Sequence, residues 1–149
     1  MRVGEYCGAV VAVAHRDTSV TGAAQLMRKY HVGALVVVDD TAPRPRPVGM
    51  VTDRDLVVEV LAGEANAEQL TVGDVMSADL ATAQWDESLT PVLERMCAQG
   101  VRRMPVVDET GALAGVISVD DVLEPLVEAL AQIPAVVRGQ RYQEAERRP

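Results

Sequence analysis

The sequence predicts an α/β fold (α+β-like) made of two consecutive β-α-β-β-α units. Short valine-rich runs alternate with segments of helical period, which is typical of a sheet covered by helices. The chain also resembles itself when it is shifted by about 69 residues, which indicates an internal repeat. With 149 residues, of which 48% are hydrophobic, it is long enough to bury a core of its own.

The repeat can be followed along the chain in blocks. Three blocks align in the same order: residues 3–7 with 72–76, residues 37–39 with 106–108, and residues 49–52 with 115–118. The first repeat carries three extra residues in the proline-rich loop 41–47, where a surface hairpin tolerates an insertion at little cost. We therefore divide the chain into a first repeat over residues 3–66, a second repeat over residues 70–131, and a tail over residues 134–149.

Each repeat is predicted to contain five elements in the same order. In the first repeat these are a strand over 9–14, a helix over 20–30, strands over 34–38 and 48–51, and a helix over 53–62. In the second repeat they are a strand over 80–83, a helix over 89–99, strands over 104–107 and 113–117, and a helix over 119–131. Ser19 and Ser88 stand at expected helix N-caps, and Met27 and Met96 lie on apolar stripes. Residues 108–111 have the composition of a hairpin turn.

The tail differs in charge from the rest of the chain. It holds arginines at 138, 141, 147 and 148 against two glutamates, whereas the whole chain has a net charge of −8. A short basic terminus is typical of a solvated segment, and docking to a partner is the alternative. Pro134 predicts a helix boundary, because the α conformation is disfavoured for a residue that precedes a proline.

Composition argues against several classes of function. Aromatic residues make up only 3% of the chain, and the acidic balance opposes phosphate backbones, so no nucleic-acid partner is expected. Two cysteines and two histidines form no metal cluster and no disulfide framework. The start lacks the apolar core of a signal peptide, and no apolar run approaches the ~20 residues that span a bilayer. The sequence therefore predicts a cytoplasmic protein with no membrane or metal partner.

Two pairs of segments carry a resemblance to a known family. The runs V-G-A-L-V-V-V-D and G-M-V-T-D-R-D-L in the first repeat, and V-R-R-M-P-V-V-D and G-V-I-S-V-D-D-V in the second, resemble a tandem pair of CBS domains, also called a Bateman module. The resemblance covers residue 3 to about residue 131. The chain therefore looks like a stand-alone pair without a catalytic domain, and no catalytic residue is predicted.

The resemblance implies a fold, an assembly and a type of ligand. The two repeats would pack through their sheets with pseudo-two-fold symmetry, and two molecules would form a homodimer through their helices. Clefts between the repeats would bind adenosine-containing molecules such as AMP, ADP, ATP or S-adenosylmethionine. The bound molecule would shift the packing of the repeats, and a regulated protein partner would respond to that shift. A ligand can act in this way only through its differential affinity for two states.

Similarity to the family's ribose motif, G-h-h-T/S-x-x-D, singles out Thr52 with Asp55 and Ser118 with Asp121. In this motif the hydroxyl residue ends a strand, and the carboxylate in the first helical turn can accept hydrogen bonds from both ribose hydroxyls. The same spacing is also that of a helix capping box, which requires no ligand. The residues alone leave both interpretations open.

The family pattern places the phosphate contacts on arginines. It selects Arg102, with Arg103 beside it, and Arg54, which is expected to point into the cleft of the other repeat. The equivalent positions for the first repeat's own cleft hold Gly33 and the acidic Asp120, and a carboxylate repels phosphate. We therefore expect one phosphate-binding cleft, that of the second repeat, with contributions from Arg54, Arg102, Ser118 and Asp121.

The adenine ring is expected to lie on an apolar wall of the second repeat. The wall is assigned to two strands and comprises Leu80, Ala81, Thr82, Val116 and Ile117. The two repeats differ at one position nearby, since Val36 stands where the second repeat has Pro105. The valine has a backbone N–H that the proline lacks, so this strand can pair differently in the first repeat.

Three functional hypotheses follow. The first is a regulatory module that senses an adenine nucleotide and signals to a protein partner. The second is a ligand-free dimeric scaffold, in which the arginines are solvated or Arg54 pairs with Asp53 or Glu59. The third is an enzyme, for which the sequence offers no catalytic constellation.

Overall fold

The computed structural model describes residues 1–9 and 11–147 and contains two three-stranded sheets of identical topology. In each sheet the first strand runs parallel to the second, which is antiparallel to the third. The strands are β1 Val13–Ala14, β2 Ala34–Asp39, β3 Arg46–Thr52, β4 Ala83–Gln84, β5 Arg103–Val107 and β6 Leu113–Ser118. The predicted α/β fold of two equivalent units is confirmed. Val10 of the first predicted strand and Arg148 of the basic tail lie outside the described residues.

Helices cover the sheets, and the four predicted ones are joined by a short helix over Val72–Val75 that the sequence did not predict. The helices are α1 Val20–Tyr30, α2 Asp53–Asp55, α3 Val72–Val75, α4 Leu89–Gln99 and α5 Val119–Arg147. Ser19 caps α1, since its side chain accepts a hydrogen bond from the Gly22 N–H at 3.0 Å. Ser88 occupies the N-cap of α4 without such a bond. Gly100 ends α4 in the left-handed conformation, with φ of 65°, which glycine adopts without steric cost.

Several elements differ from their predicted extents. The opening strands of the two repeats are only two residues long. The helix predicted over 53–62 is a single α turn, α2, followed by a π-helix over Leu56–Leu61. Residues 57 and 58 are valines, whose β-branched side chains slightly lower the propensity for a regular α-helix.

The final helix is much longer than expected. Instead of ending near residue 131, α5 continues to Arg147 and contains Pro125 and Pro134, so the helix boundary predicted at Pro134 is wrong. Each proline removes one N–H donor, but its fixed φ is helical and the bonds on either side remain. The side chains over residues 123–144 and 146–147 of this helix are exposed.

The opening segments of the two repeats are exchanged in space. Val3 lies in the hydrophobic core of the second repeat, whereas Val72 lies in the core of the first. Gly8 exchanges two backbone hydrogen bonds with Val116 of β6, both at 3.1 Å, and Ser77 exchanges two with Met50 of β3, at 2.9 and 3.1 Å. Each sheet is therefore extended by a short segment that belongs to the other repeat in sequence.

The two hairpin loops also join the repeats. Arg44, in the proline-rich loop, forms an ion pair with Asp108, and Arg46 donates to the Thr110 carbonyl at 2.8 Å. The Leu113 N–H donates to the Pro45 carbonyl at 2.9 Å. The loop that carries the insertion in the first repeat is thus used to contact the second repeat.

Candidate functional site

A cleft of about 470 Å³ lies where the ends of β3 and α4 and the start of β5 meet. The first repeat contributes Thr52, Arg54 and Asp55 to it. The lead-in to β4 contributes Leu80 and Ala81, since the exchanged segment places these residues beside β3. The segment that ends α4 and starts β5 completes the lining with Gln99, Gly100, Val101, Arg102 and Arg103. We call this the larger cleft.

The motif of the larger cleft forms a reciprocal cap. The Thr52 N–H and hydroxyl both donate to Asp55 Oδ2, at 2.8 and 2.9 Å, and the Asp55 N–H donates to the Thr52 hydroxyl at 3.2 Å. Ser118 and Asp121 make the same three bonds at 2.8, 2.6 and 3.2 Å. Both motifs therefore stabilise helix starts as capping boxes. Within the described part of the chain Oδ1 of each aspartate accepts no hydrogen bond.

Three arginines line the larger cleft together. Arg102 forms an ion pair with Asp120, whose Oδ1 lies 3.0 Å from the guanidinium. Arg54 and Arg103 form no ion pair with a described residue, so the pairing of Arg54 with Asp53 or Glu59 that the scaffold hypothesis allows is not observed. Three carboxylates, Asp53, Asp55 and Asp79, also line the cleft. Its cations are consequently close to acidic groups rather than isolated from them.

The difference between Val36 and Pro105 changes one carbonyl at the cleft. In the first repeat the Val36 N–H donates to the Ala12 carbonyl at 3.1 Å. The equivalent carbonyl in the second repeat belongs to Ala81, and Pro105 has no N–H to offer it. The Ala81 carbonyl, whose residue lines the larger cleft, therefore lacks the hydrogen bond that the Ala12 carbonyl accepts in the first repeat.

A smaller cleft of about 240 Å³ occupies the pseudo-symmetric position. Its lining includes Val11, Ala12, Gly33 and Ala34 in the places that Leu80, Ala81, Arg102 and Arg103 hold in the larger cleft. Arg103 and His31 are the charged or titratable residues among its described lining. Position 33, where the second repeat has Arg102, holds a glycine. A Cβ at this position would lie 2.9 Å from an Asp53 carboxylate oxygen, so there is little room for a side chain unless Asp53 moves.

The clefts group the predicted site residues differently from the alignment of the repeats. Arg54 and Arg102 line the same cleft together with Thr52 and Asp55, whereas Ser118 and Asp121 line neither of the two clefts. Of the expected adenine wall, the larger cleft contains Leu80 and Ala81, and Val116 lines the smaller cleft. Thr82 and Ile117 line neither cleft. The reason is the exchange of segments, which places the lead-in to β4 on the first repeat's sheet.

Sequence reasoning missed several residues of the larger cleft. Ser77 and Asp79 lie in the exchanged segment, whose position depends on long-range pairing that no local pattern indicates. Gly100 and Val101 could have been found, since a glycine after an amphipathic helix indicates a helix end and the next residues open the strand.

Asp121 instead faces the first residues of the chain. Burial, and then the negative charge of Asp121, raise the pKa of the half-buried Cys7 thiol to about 11. Cys7 is thus held as a neutral thiol against the second repeat. Among the described residues no group of three or more histidine, cysteine, aspartate or glutamate side chains could hold a metal ion. No helix among them is both long and apolar enough to cross a membrane.

Comparison with known sequences identifies relatives. The model of the CBS domain family matches residues 3–62 and 72–128. The chain is 33% identical over 119 residues to hypoxic response protein 1 of Mycobacterium tuberculosis, a match that covers 80% of each chain. It is 32% identical over 120 residues to the uncharacterized protein MK0525 of Methanopyrus kandleri, covering 75% of this chain but only 59% of that protein. The chain therefore spans about three fifths of the length of MK0525.

Comparison with solved structures finds the same fold. The crystal structure of hypoxic response protein I with two coordinated zinc ions has a TM-score of 0.72 and 29% identity, covering 83% of this chain and 98% of that one. The CBS domain pair of MJ0100, solved with 5′-methylthioadenosine and S-adenosylmethionine, has a TM-score of 0.75 at 22% identity, covering 87% and 98%, and shares the fold. Since the family model matches most of the chain in two consecutive segments, the chain belongs to the CBS domain family and is a tandem CBS pair.

Proposed function

We propose that the larger cleft binds an adenosine nucleotide carrying at least one phosphate, and that the chain is a regulatory module controlled by this ligand. One observation carries the proposal: three arginines, a Thr-x-x-Asp motif and the apolar lead-in to β4 converge in one cleft between the two repeats. The volume of about 470 Å³ lies within the range of small-molecule sites.

The arginines favour an anionic ligand. A guanidinium binds phosphate oxygens through two parallel hydrogen bonds, and the grouping of Arg54, Arg102 and Arg103 offers more than one such contact. AMP, ADP and ATP satisfy these groups, whereas the sulfonium of S-adenosylmethionine places a cation among them. We therefore expect the phosphorylated nucleotides to bind more tightly than S-adenosylmethionine.

The other parts of the nucleotide also have complementary groups. Oδ1 of Asp55 is free to accept hydrogen bonds from the ribose hydroxyls, while Oδ2 maintains the helix cap. The Ala81 carbonyl receives no hydrogen bond from Pro105, because proline lacks an N–H. It can therefore accept a hydrogen bond from the adenine amino group. Leu80 supplies apolar surface next to it. In the smaller cleft the matching Ala12 carbonyl is already bonded, so one nucleotide per chain is expected.

The position of the cleft gives the ligand a way to regulate. A nucleotide held by Asp55 of the first repeat and Arg102 of the second ties the two sheets together at one end, whereas the Arg44–Asp108 contact ties the hairpin loops. A ligand that binds one relative arrangement of the repeats more tightly shifts the population toward it. A protein partner, and a second molecule of this chain in a homodimer, would respond to that change.

The test is isothermal titration of AMP, ATP and S-adenosylmethionine into the full chain and into two matched variants. Asp55→Asn and Asp121→Asn make the same chemical change at equivalent capping boxes, but only Asp55 lines the larger cleft. AMP should bind wild type at one site per chain. Asp55→Asn should weaken that affinity by about tenfold or more, because hydrogen bonds to a charged group are lost. Asp121→Asn should leave it within about twofold.

A ligand-free scaffold is the second candidate, and one observation favours it. Both Thr/Ser-x-x-Asp motifs are fully explained as helix caps without a ligand. Flat heats for all three compounds in wild type would support the scaffold and contradict nucleotide sensing. Equal losses of affinity in the two variants would show that the motifs act through stability rather than through contact with the ligand.

A further inference from the structure

An apolar stripe runs along α5 beyond the match to the family model, which ends at residue 128. Its members recur every three or four residues, the heptad spacing of a helix that packs against another helix. They are Leu123, Leu126, Leu130, Ile133 and Val137, and between 42% and 63% of each side chain is exposed. We call this stripe the α5 seam. Pro125 and Pro134 lie outside the seam positions.

The flanks of the seam are apolar as well. Val127 and Val136 border it, with 54% and 70% of their side chains exposed. A solitary solvated helix normally carries charge at such positions, and exposed apolar patches of this extent mark interaction surfaces. Among the described residues no other element covers them, since α5 contacts the rest of the chain chiefly through β6.

The surface area of the chain indicates how much is uncovered. Its accessible surface is 9855 Å² for a mass of 16.0 kDa. A monomeric globular protein of this mass exposes about 7,400 Å². The excess exceeds the roughly 800 Å² that each partner buries in an interface of standard size. The chain therefore has enough unburied surface for a stable protein interface.

The charges on α5 indicate which partner fits. Its first turns are acidic, with Asp120, Glu124 and Glu128, whereas Arg138 and Arg141 lie just beyond the seam. Two identical helices in antiparallel orientation bring the acidic start of each beside the basic segment of the other. A parallel pair would place the acidic residues side by side, which is unfavourable.

We propose that the α5 seam is the surface through which two molecules of this chain pair, with their α5 helices antiparallel. The inference rests on the proposed homodimer and assigns the surface that forms it. It does not depend on whether a nucleotide binds. With Leu130 opposite Ile133 of the second molecule, the register places Leu123 opposite Gln140.

The first test is the mass of the full chain in solution by sedimentation equilibrium. Wild type should have twice the mass of one chain, and the double variant Leu130→Glu/Ile133→Glu should have the mass of a single chain. The control Gln132→Glu/Ala135→Glu adds two glutamates on the opposite, equally exposed side of α5 and should remain dimeric. Circular dichroism and thermal unfolding of both variants check that the two-sheet body stays folded.

The outcomes separate the inference from the homodimer proposal. A dimeric wild type whose seam variant is also dimeric would overturn the α5 seam but leave a homodimer through another surface. A monomeric wild type at high micromolar concentration would overturn both. The orientation is tested with cysteines introduced after Cys7→Ser and Cys97→Ser. Disulfide dimers in Leu123→Cys/Gln140→Cys but not in Leu123→Cys alone support the antiparallel pair, and dimers in Leu123→Cys alone overturn it.

Discussion

Arg102 and Asp120 form an ion pair at the larger cleft, with 3.0 Å between Nη2 and Oδ1. The sequence pattern associated Asp120 with the cleft of the first repeat, where it would repel phosphate. In the structure it instead engages a cation of the larger cleft. Both side chains are well exposed, at 73% and 62%, so the pair is solvated and weak. An incoming phosphate therefore competes with Asp120 for this guanidinium.

Replacing Asp120 by asparagine should strengthen AMP binding. The change removes a competing negative charge and releases Arg102, and an exposed pair of this kind corresponds to about a two- to fivefold gain in affinity. Titration of AMP into Asp120→Asn and wild type measures it. Glu109→Gln, at the far end of β5 in the hairpin loop, makes the same change of charge away from the cleft and should have no effect. Equal or weaker binding by Asp120→Asn would contradict this role.

Gly115 should not tolerate a side chain. A Cβ at this position would overlap the Cys7 sulfur and lie 2.7 Å from the Gly8 carbonyl oxygen, a backbone atom that cannot move aside cheaply. Gly115→Ala should lower the free energy of unfolding by about 1–3 kcal/mol, as overpacking does. Urea denaturation measures the change. Gly139→Ala, on α5 with no atom within 4 Å of the added Cβ, should cost nothing. A neutral Gly115→Ala would mean that the first residues do not pack on β6.

Asp108 should make the contact between the hairpins sensitive to acid. Hydrogen bonds from Thr110 and the nearby Arg44 lower its pKa from 3.8 to about 2. Because the folded pKa is depressed, the stabilisation is complete above about pH 4 and is lost as the pH falls toward 2. The difference in thermal midpoint between wild type and Asp108→Asn should therefore be constant above pH 4 and shrink below it. The neighbouring Glu109→Gln provides the baseline, and a difference that does not change with pH would contradict the prediction.

Local patterns predicted the elements that depend on local chemistry. Ser19 at a helix start, the hairpin turn over residues 108–111 and the valine-rich β2 each depend on neighbours a few residues away, and they lie where the sequence places them. The Val36–Pro105 difference was also informative from sequence. The N–H that proline lacks is the one that Val36 donates to Ala12.

Features that depend on long-range packing were not predicted. Which carboxylate shares a cleft with Arg102 is decided by the segment over residues 70–77, which pairs with the first repeat's sheet. An alignment of the repeats treats each as self-contained, so it associated Asp121 with Arg102, whereas the cleft contains Asp55. The length of α5 was missed for a different reason, since a proline is expected to end a helix, whereas α5 continues through Pro134 with helical backbone on both sides.

The exchanged segments also have a consequence for folding. Val3 lies 80 positions before Ala83, and Val72 lies 21 positions after Val51, the nearest buried residues of the cores that they complete. Neither repeat can therefore close its hydrophobic core until a segment that belongs to the other repeat has arrived. Contacts of such sequence separation slow folding and couple the two halves into a single cooperative transition. A fragment that contains one repeat alone would keep its own opening segment without a docking site. Two such fragments could complete their hydrophobic cores by exchanging their opening segments. An isolated repeat is therefore expected to form domain-swapped dimers.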